Sequence, residues 1–260
     1  MNFSVVIPAH NEELFIEPCL EAIHRAEKPP GSEYEIIVVL NRCSDRTEHI
    51  AVSHGARIVR EDARNLSVIR NAGVREARHD VLMTIDADSI MTSNMFIEVQ
   101  KHLESGKYIG GGVRVEFERM SRQLWWTYQI LQLVSVLSGI SAGLYWCYKR
   151  DFDAIGGFDE DVKVGEDVDF AHRLRRHGKR QGKRFGTISR ARIVTSCRKF
   201  DVLGDSALLN LIFDPVNLVR LITGKTARLG NHYFAEEYFY EFDNNASTRV
   251  ATPDRRRKQS

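Results

Sequence analysis

The sequence is poor in cysteine and almost neutral, and each shortage excludes a class of protein. Its four cysteines, Cys19, Cys43, Cys147 and Cys197, are widely scattered, with no Cys-x-x-Cys pair and no histidine at metal-ligand spacing. That excludes a disulfide scaffold and a zinc module, and the thiols are read as reduced. A net charge of +2 provides no global field for nucleic acid. No basic leader or small-residue cleavage site precedes the apolar run at residues 3–8, so a cytoplasmic setting is expected. After that run stands Ala9-His10-Asn11-Glu12, without the glycines of a dinucleotide site or a P-loop. Long apolar runs are also scarce: one uncharged stretch, residues 124–148, has the length of a membrane span. Thr127, Gln129, Gln132, several serines and Gly139 interrupt it, so a buried or interfacial helix is expected there, not a spanning one.

What is present is an ordinary globular composition, 43% hydrophobic and 28% charged, on a chain long enough to bury a sizeable core. The first half alternates apolar runs with amphipathic stretches, as a parallel sheet with helices on both faces requires. Strands are expected at 3–8, 34–40, 57–60 and 81–85. Helices are expected at 12–25, capped by Asn11, from Ser44 or Asp45 to about Ser53, and at 65–77, with Val68, Ala72 and Ala77 inward. The second half is less regular. A helix at 92–103, an extended stretch at 108–117 and a turn at 156–159 are expected, then a basic helix ending near Gly178, a strand at 185–195, and an apolar helical region at 206–222 broken by Pro215. The chain is read as one domain over 1–242, divided at 113/114, with a basic disordered tail at 243–260.

Four constellations carry chemistry. In Asp86-Ala87-Asp88, at the end of an expected strand, two carboxylates one residue apart can face a hard cation such as Mg²⁺ or Mn²⁺. An acidic turn capping the next helix fits that spacing equally well. Gly165-Glu166-Asp167-Val168-Asp169 packs three carboxylates into four positions. A helix macrodipole favours them, yet their repulsion calls for a substrate or a basic partner, which His172 to Arg176 would supply. The turn Pro8-Ala9-His10-Asn11-Glu12 exposes backbone N–H groups to which a nucleotide can dock, and His10 is read as a turn residue. Arg70, in Arg70-Asn71-Ala72-Gly73, is either solvated or near enough to a strand-end carboxylate to reach phosphate.

Taken together and in order, Val5 to Glu12, Arg70 to Gly73 before Thr84 to Asp88, and Gly156 to Asp159 before Gly165 to Asp169 resemble the family-2 glycosyltransferases, over roughly residues 3–200. The resemblance implies an α/β GT-A fold: a Rossmann-like, mostly parallel sheet with helices on both faces, and a less regular second half that binds the acceptor. It also implies metal-dependent, inverting transfer of a sugar from a nucleoside-diphosphate sugar to a hydroxyl of a saccharide or lipid-linked acceptor. By position, Pro8, Ala9, Asn11, Glu12, Asn41, Arg70, Asp86, Ala87, Asp88 and Arg198 would bind the donor, with Lys199 beside Arg198. Asp88 and Asp86 would hold Mn²⁺ or Mg²⁺, Asp167 would be the general base, and Gly157 and Glu166 would meet the acceptor.

One departure concerns the base. Where relatives carry Asp-Asp-Gly-Ser, this chain has Asn41-Arg42-Cys43-Ser44, so an amide replaces the carboxylate that reads the uracil N–H. The amide oxygen still accepts that bond, and a UDP-sugar is expected. The Gln-x-x-Arg-Trp motif of processive synthases is missing, which points to single transfers. Two other readings are a sugar nucleotidyltransferase, which would carry a Gly-rich loop after the first strand, and a non-catalytic protein at the inner membrane face using residues 124–148 and the basic tail.

Overall fold

The computed structural model describes residues 1–162, 165–205 and 215–223. The first half alternates as expected: β1 (Phe3–Ala9), α1 (Ile16–Arg25), β2 (Tyr34–Leu40), α2 (Thr47–Ser53), β3 (Arg57–Arg60), α3 (Leu66–Arg75) and β4 (Val81–Thr84). A short β5 (Ser89–Met91), α4 (Met95–Glu104) and β6 (Tyr108–Phe117) follow. The second half contains α5 (Arg122–Ser138), β7 (Tyr145–Tyr148), α6 (Lys149–Ala154), α7 (Glu166–Arg180), β8 (Arg184–Thr195), α8 (Arg198–Leu203) and α9 (Pro215–Thr223). The expected helical stretch before Pro215 and the tail at 243–260 lie outside the described residues.

The eight strands form one sheet in the order β3-β2-β1-β4-β7-β6-β8-β5. β1 to β4 run parallel, β6 pairs parallel with β8, and β7 and β5 run against their neighbours. The chain builds outward from β1 to β2 and β3, then returns to place β4 on the other side of β1. That makes the carboxyl ends of β1 and β4 a topological switch point, where α/β sheets collect ligands. Side chains alternate across the sheet: Val5 and Ile7 join a core with α1, α2 and α4, while Val6 joins a second core with α3, α6 and α7.

Several boundaries differ from the sequence reading, for local reasons. Helix α1 begins at Ile16, because residues 11–15 form a turn tied to the next loop: Glu12 N donates to Thr47 Oγ1 and Glu13 N to Asp45 Oδ2. Asn11 therefore caps no helix; it adopts φ 53° and its Oδ1 accepts from Ser44 N. Helix α3 is shorter than the expected 65–77, with Asn65 as its cap, and it buries Ser67 and every residue from Ile69 to Val74, while Val68 and Ala77 are only half-buried. The uncharged run is two elements. Gly139, left-handed at φ 66°, ends α5, and Tyr145–Tyr148 enters the centre of the sheet between β4 and β6.

Close backbone approach fixes this geometry. A Cβ on Gly111 would lie 1.9 Å from the Gly186 carbonyl oxygen and 2.7 Å from Trp146 Cζ2. Trp146 is fully buried beside this contact, its Nε1 donating to the Gly112 carbonyl at 3.0 Å. Gly111→Ala is therefore expected to destabilise the fold by about 3 kcal/mol, the upper end of overpacking costs. Urea unfolding followed by circular dichroism checks this, and an unchanged midpoint would contradict the packing described.

Candidate active site

Ile85 N donates to the Val6 carbonyl, carrying β4 past its last ladder residue and delivering Asp86 to the switch point. Arg70 reaches the same place from α3. Gly73, one turn on, lets α3 lie directly on the sheet, since a Cβ there would sit 2.4 Å from Val6 Cγ1 and 2.6 Å from Val39 Cγ2. The Arg70 guanidinium is 5% exposed and donates through Nη2 to Asp86 Oδ1 at 2.8 Å and through Nη1 to Glu166 Oε1 at 2.7 Å. Burial alone would lower its pKa, but Asp86 and Glu166 outweigh burial and raise it.

Glu166 and Asp167 open α7 after Gly165, which is left-handed at φ 73° and offers no capping side chain. Asp167 Oδ1 accepts from Val168 N at 2.8 Å. Burial, and then the Asp167 charge, push Glu166 up to about 7, and burial likewise raises Asp167 against the pull of Arg70. The third carboxylate belongs elsewhere. Asp169 pairs with Arg173, whose Nη1 also donates to the carbonyls of Ile155 and Gly157, so the basic run supplies a partner to that residue.

Gly157 is buried under α3 rather than lining an open surface. Its left-handed φ of 67°, and the 2.7 Å at which a Cβ there would meet Asn71 Oδ1, leave no room for a side chain. Asn71 bonds both the N–H and the carbonyl of Phe158, so the Arg70-Asn71 pair locks this turn beneath the Glu166 end of α7.

A second ion cluster lies around Asp88. Arg198 opens α8, its Nη2 donates to Glu12 Oε1, and its Nε lies 3.4 Å from Asp88 Oδ2. Its guanidinium stacks 4.8 Å over the Phe15 ring. Burial raises Asp88, while Arg198 and Lys199 oppose that shift. Asp86, its side chain 49% exposed, and Asp88, 13% exposed, thus stand one residue apart with different partners, and Ala87 is buried between them. Among the described residues no three His, Cys, Asp or Glu side chains converge as a metal cage. Two hard carboxylates do fit a Mg²⁺ or Mn²⁺ whose remaining ligands come from a diphosphate, which is how Mg²⁺ is usually held.

Pro8 and Ala9 are buried at the end of β1, and the turns beyond them interlock. His10 Nδ1 hydrogen-bonds the Asn41 carbonyl at 2.5 Å, and Cys43 Sγ reaches the Ala9 carbonyl. Asn41 is 3% exposed; its Nδ2 donates to the carbonyls of Glu61 and Ala63, while its Oδ1 accepts from Arg42 Nε and Nη2. Arg42, at φ 52°, went unremarked in the sequence. So did Tyr145, which an assignment of β7 would have placed beside Thr84.

A sheet of this order, with its acidic strand end at the switch point, defines the GT-A class of fold. The chain belongs to Glycosyl transferase family 2, whose profile matches residues 4–165. TarS of S. aureus in complex with UDP-GlcNAc superposes with a TM-score of 0.63 at 14% identity, covering 97% of this chain and 76% of that one. Mannosyltransferase PcManGT of Pyrobaculum calidifontis, in complex with GDP-Man and Mn²⁺, gives 0.61 at 18% identity, covering 96% and 76%. In sequence the chain is 29% identical over 109 residues to the uncharacterized glycosyltransferase EpsJ of Bacillus subtilis, 40% of this chain and 31% of that one. It is 27% identical over 159 residues to undecaprenyl-phosphate 4-deoxy-4-formamido-L-arabinose transferase of Pseudomonas fluorescens, 57% of this chain and 46% of that one. The chain spans less than half the length of these two curated relatives.

The Glu166 shift has a measurable consequence. Its folded pKa, about 7, lies above the ordinary 4.5, so the stability it contributes is complete below pH 4.5 and lost as pH rises through 7. Glu166→Gln keeps an acceptor for Arg70 and removes the ionisation. The variant should melt roughly 3–6 °C above the parent at pH 8 and level with it at pH 4.5. A difference independent of pH would remove Glu166 as the titrating group.

Proposed function

We propose that this domain transfers a sugar from a UDP-sugar to an acceptor hydroxyl with inversion, Asp167 serving as general base and Asp88 with Asp86 holding a Mn²⁺ or Mg²⁺ ion. The observation that carries the reading is the Arg70 bridge, which joins the donor-side carboxylate Asp86 to the acceptor-side pair opening α7. Asp167 takes the proton of the acceptor hydroxyl as its oxygen attacks the anomeric carbon opposite the leaving diphosphate, so configuration inverts. A base raised above the usual carboxylate range suits that role near neutral pH. When bound, the cation neutralises charge developing on the leaving phosphate. Arg198 lies beside Asp88, placed to add a second positive charge there. The uracil reading rests on Asn41 Oδ1, which takes an imide N–H once the Arg42 guanidinium that occupies that oxygen swings away, Nδ2 staying tied to two carbonyls. The reading treats residues 1–242 as one domain, whose second half and the Gly157 turn under Glu166 shape the acceptor side.

A lipid-linked acceptor is favoured by one surface. α5 buries only Leu124, Thr127 and Ser138, and exposes Trp125, Trp126, Leu133, Val136 and Leu137. α9 packs against it and exposes Val216 and Val219. Among the described residues no helix is long and apolar enough to cross a membrane, so we read this face as lying on a bilayer surface.

Asp167→Asn is expected to lower transfer at least about 100-fold while leaving UDP-sugar affinity by calorimetry within about twofold. An active Asn variant would eliminate Asp167 as the base. Asp88→Ala should instead abolish the Mn²⁺ dependence of donor binding, and NMR of the product should show the anomeric centre inverted. Retained configuration would refute direct displacement.

In a flotation assay with anionic liposomes, the parent chain should rise with the vesicles. Trp125→Glu with Trp126→Glu should remain at the bottom with its fold intact by circular dichroism. Equal flotation of both would discard the membrane reading.

A further inference from the structure

Tyr145 stands where β4, α3 and α7 meet, and the function described above does not use it. It pairs with Thr84 in the β4–β7 ladder, as Cys147 pairs with Leu82. Leu82, Tyr145 and Cys147 all belong to the core on the α3 and α7 side. By the two-residue period of a strand, Thr84 and Tyr145 share that face, two residues before Asp86. The Tyr145 ring meets Phe170 edge-on, centroids 5.5 Å apart, and Phe170 lies on α7 three residues after Asp167. This places the ring against the first turns of α7, on the face of the sheet that α3 and α7 cover.

The residue is 3% exposed, and its hydroxyl oxygen is buried without a hydrogen-bond partner. Most buried hydroxyls are paired, and an unpaired one calls for an explanation. After burial itself, the strongest influence on this phenol is the charge of Asp167, followed by those of Arg70, Glu166 and Asp86, and it stays protonated well above neutral pH. It is therefore a neutral donor among carboxylates. Arg70 Nε is a second buried donor without a partner in the same cluster. The carboxylates retain room for both, since the Asp167 carboxylate is held by local backbone N–H groups, Val168 N among them, and when ionised offers about four acceptor sites.

We propose that Tyr145 is a positioning residue: its phenolic O–H, unpaired in this structure, is taken up by the Glu166–Asp167 pair when the Asp167 carboxylate ionises and turns toward it, and then holds Asp167 toward the acceptor. The positioning role rests on Asp167 being the base. The phenol gains and loses no proton: the acceptor proton goes to Asp167, and Tyr145 fixes where the receiving oxygen stands. Four elements face Asp167 with charged or titratable groups: Arg70 from α3, Asp86 from the end of β4, Glu166 from α7 and Tyr145 from β7.

The test requires no substrate. Carboxyl ¹³C NMR of the full chain follows the titration of the Glu166–Asp167 pair in the parent and in Tyr145→Phe, which keeps the ring on Phe170. A donor to the ionised pair lowers its proton affinity, so the variant should raise the upper apparent pKa by about one unit, a tenfold change in affinity. Incorporation of 3-fluorotyrosine at position 145, a stronger donor of the same shape, should move it the opposite way, and this arm remains if the Phe variant does not fold. Identical titrations in all three chains would overturn the proposal and leave Tyr145 a packing residue. Because the readout is independent of transfer, an active Asp167→Asn enzyme would reject the base assignment without affecting this measurement.

Discussion

A guanidinium cannot shed its proton at any pH a protein experiences, so burying one obliges the fold to bring anions to it. Arg70 is held over the sheet by the approach of Gly73 to Val6 and Val39, and its two free edges face different parts of the chain. One edge takes Asp86 from the end of β4, the other Glu166 from the start of α7, ninety-six residues away along the chain. Losing Asp86 would leave the buried guanidinium undercompensated, a far larger penalty than that of a surface pair. The site depends on this pairing. It fixes where the Asp86 turn and the start of α7 stand relative to each other, and it keeps two repelling carboxylates together at the head of α7.

Around that pairing the strand-end turns are fastened to one another rather than to the helices that follow them. Asn11 and Arg42 both adopt left-handed backbone, at φ 53° and 52°, and both side chains engage the turn region at the end of β2. Arginine in that region costs roughly 1–2 kcal/mol. Strain of this kind persists only where neighbouring contacts over-determine the conformation. Here the bonds from His10 to the Asn41 carbonyl and from Asn41 to Glu61 and Ala63 do so. The result is a rigid floor, suited to a flat ligand held by few polar atoms.

The second half contributes differently. β7 completes the sheet beside β4, α7 supplies the Glu166–Asp167 pair, and α8 returns Arg198 to Asp88 and Glu12. α5 is the exception: it leaves the body of the fold with most of its apolar side chains outward, and α9 extends the same surface.

The sequence by itself determined the first half of the sheet, because β1, β2 and β3 are short apolar runs bounded by turn residues and each obeys its local period. It also marked Asp86, Asp88 and the Glu166–Asp167 pair as carboxylates out of the ordinary, through the resemblance of the ordered motifs to the family-2 glycosyltransferases, since spacing by itself left an ordinary acidic turn open. Tertiary structure decided what spacing cannot carry. It showed that Asp169 answers Arg173 instead of the site, that Asn11 ties loops instead of capping a helix, and that the uncharged run hides a central strand whose alternation is lost among apolar neighbours on both faces. The Arg70 bridge and the orphan hydroxyl of Tyr145 were illegible for the same reason. Each is a relation between residues far apart in the chain, and only the folded sheet brings them within a hydrogen bond's or a ring's width of one another.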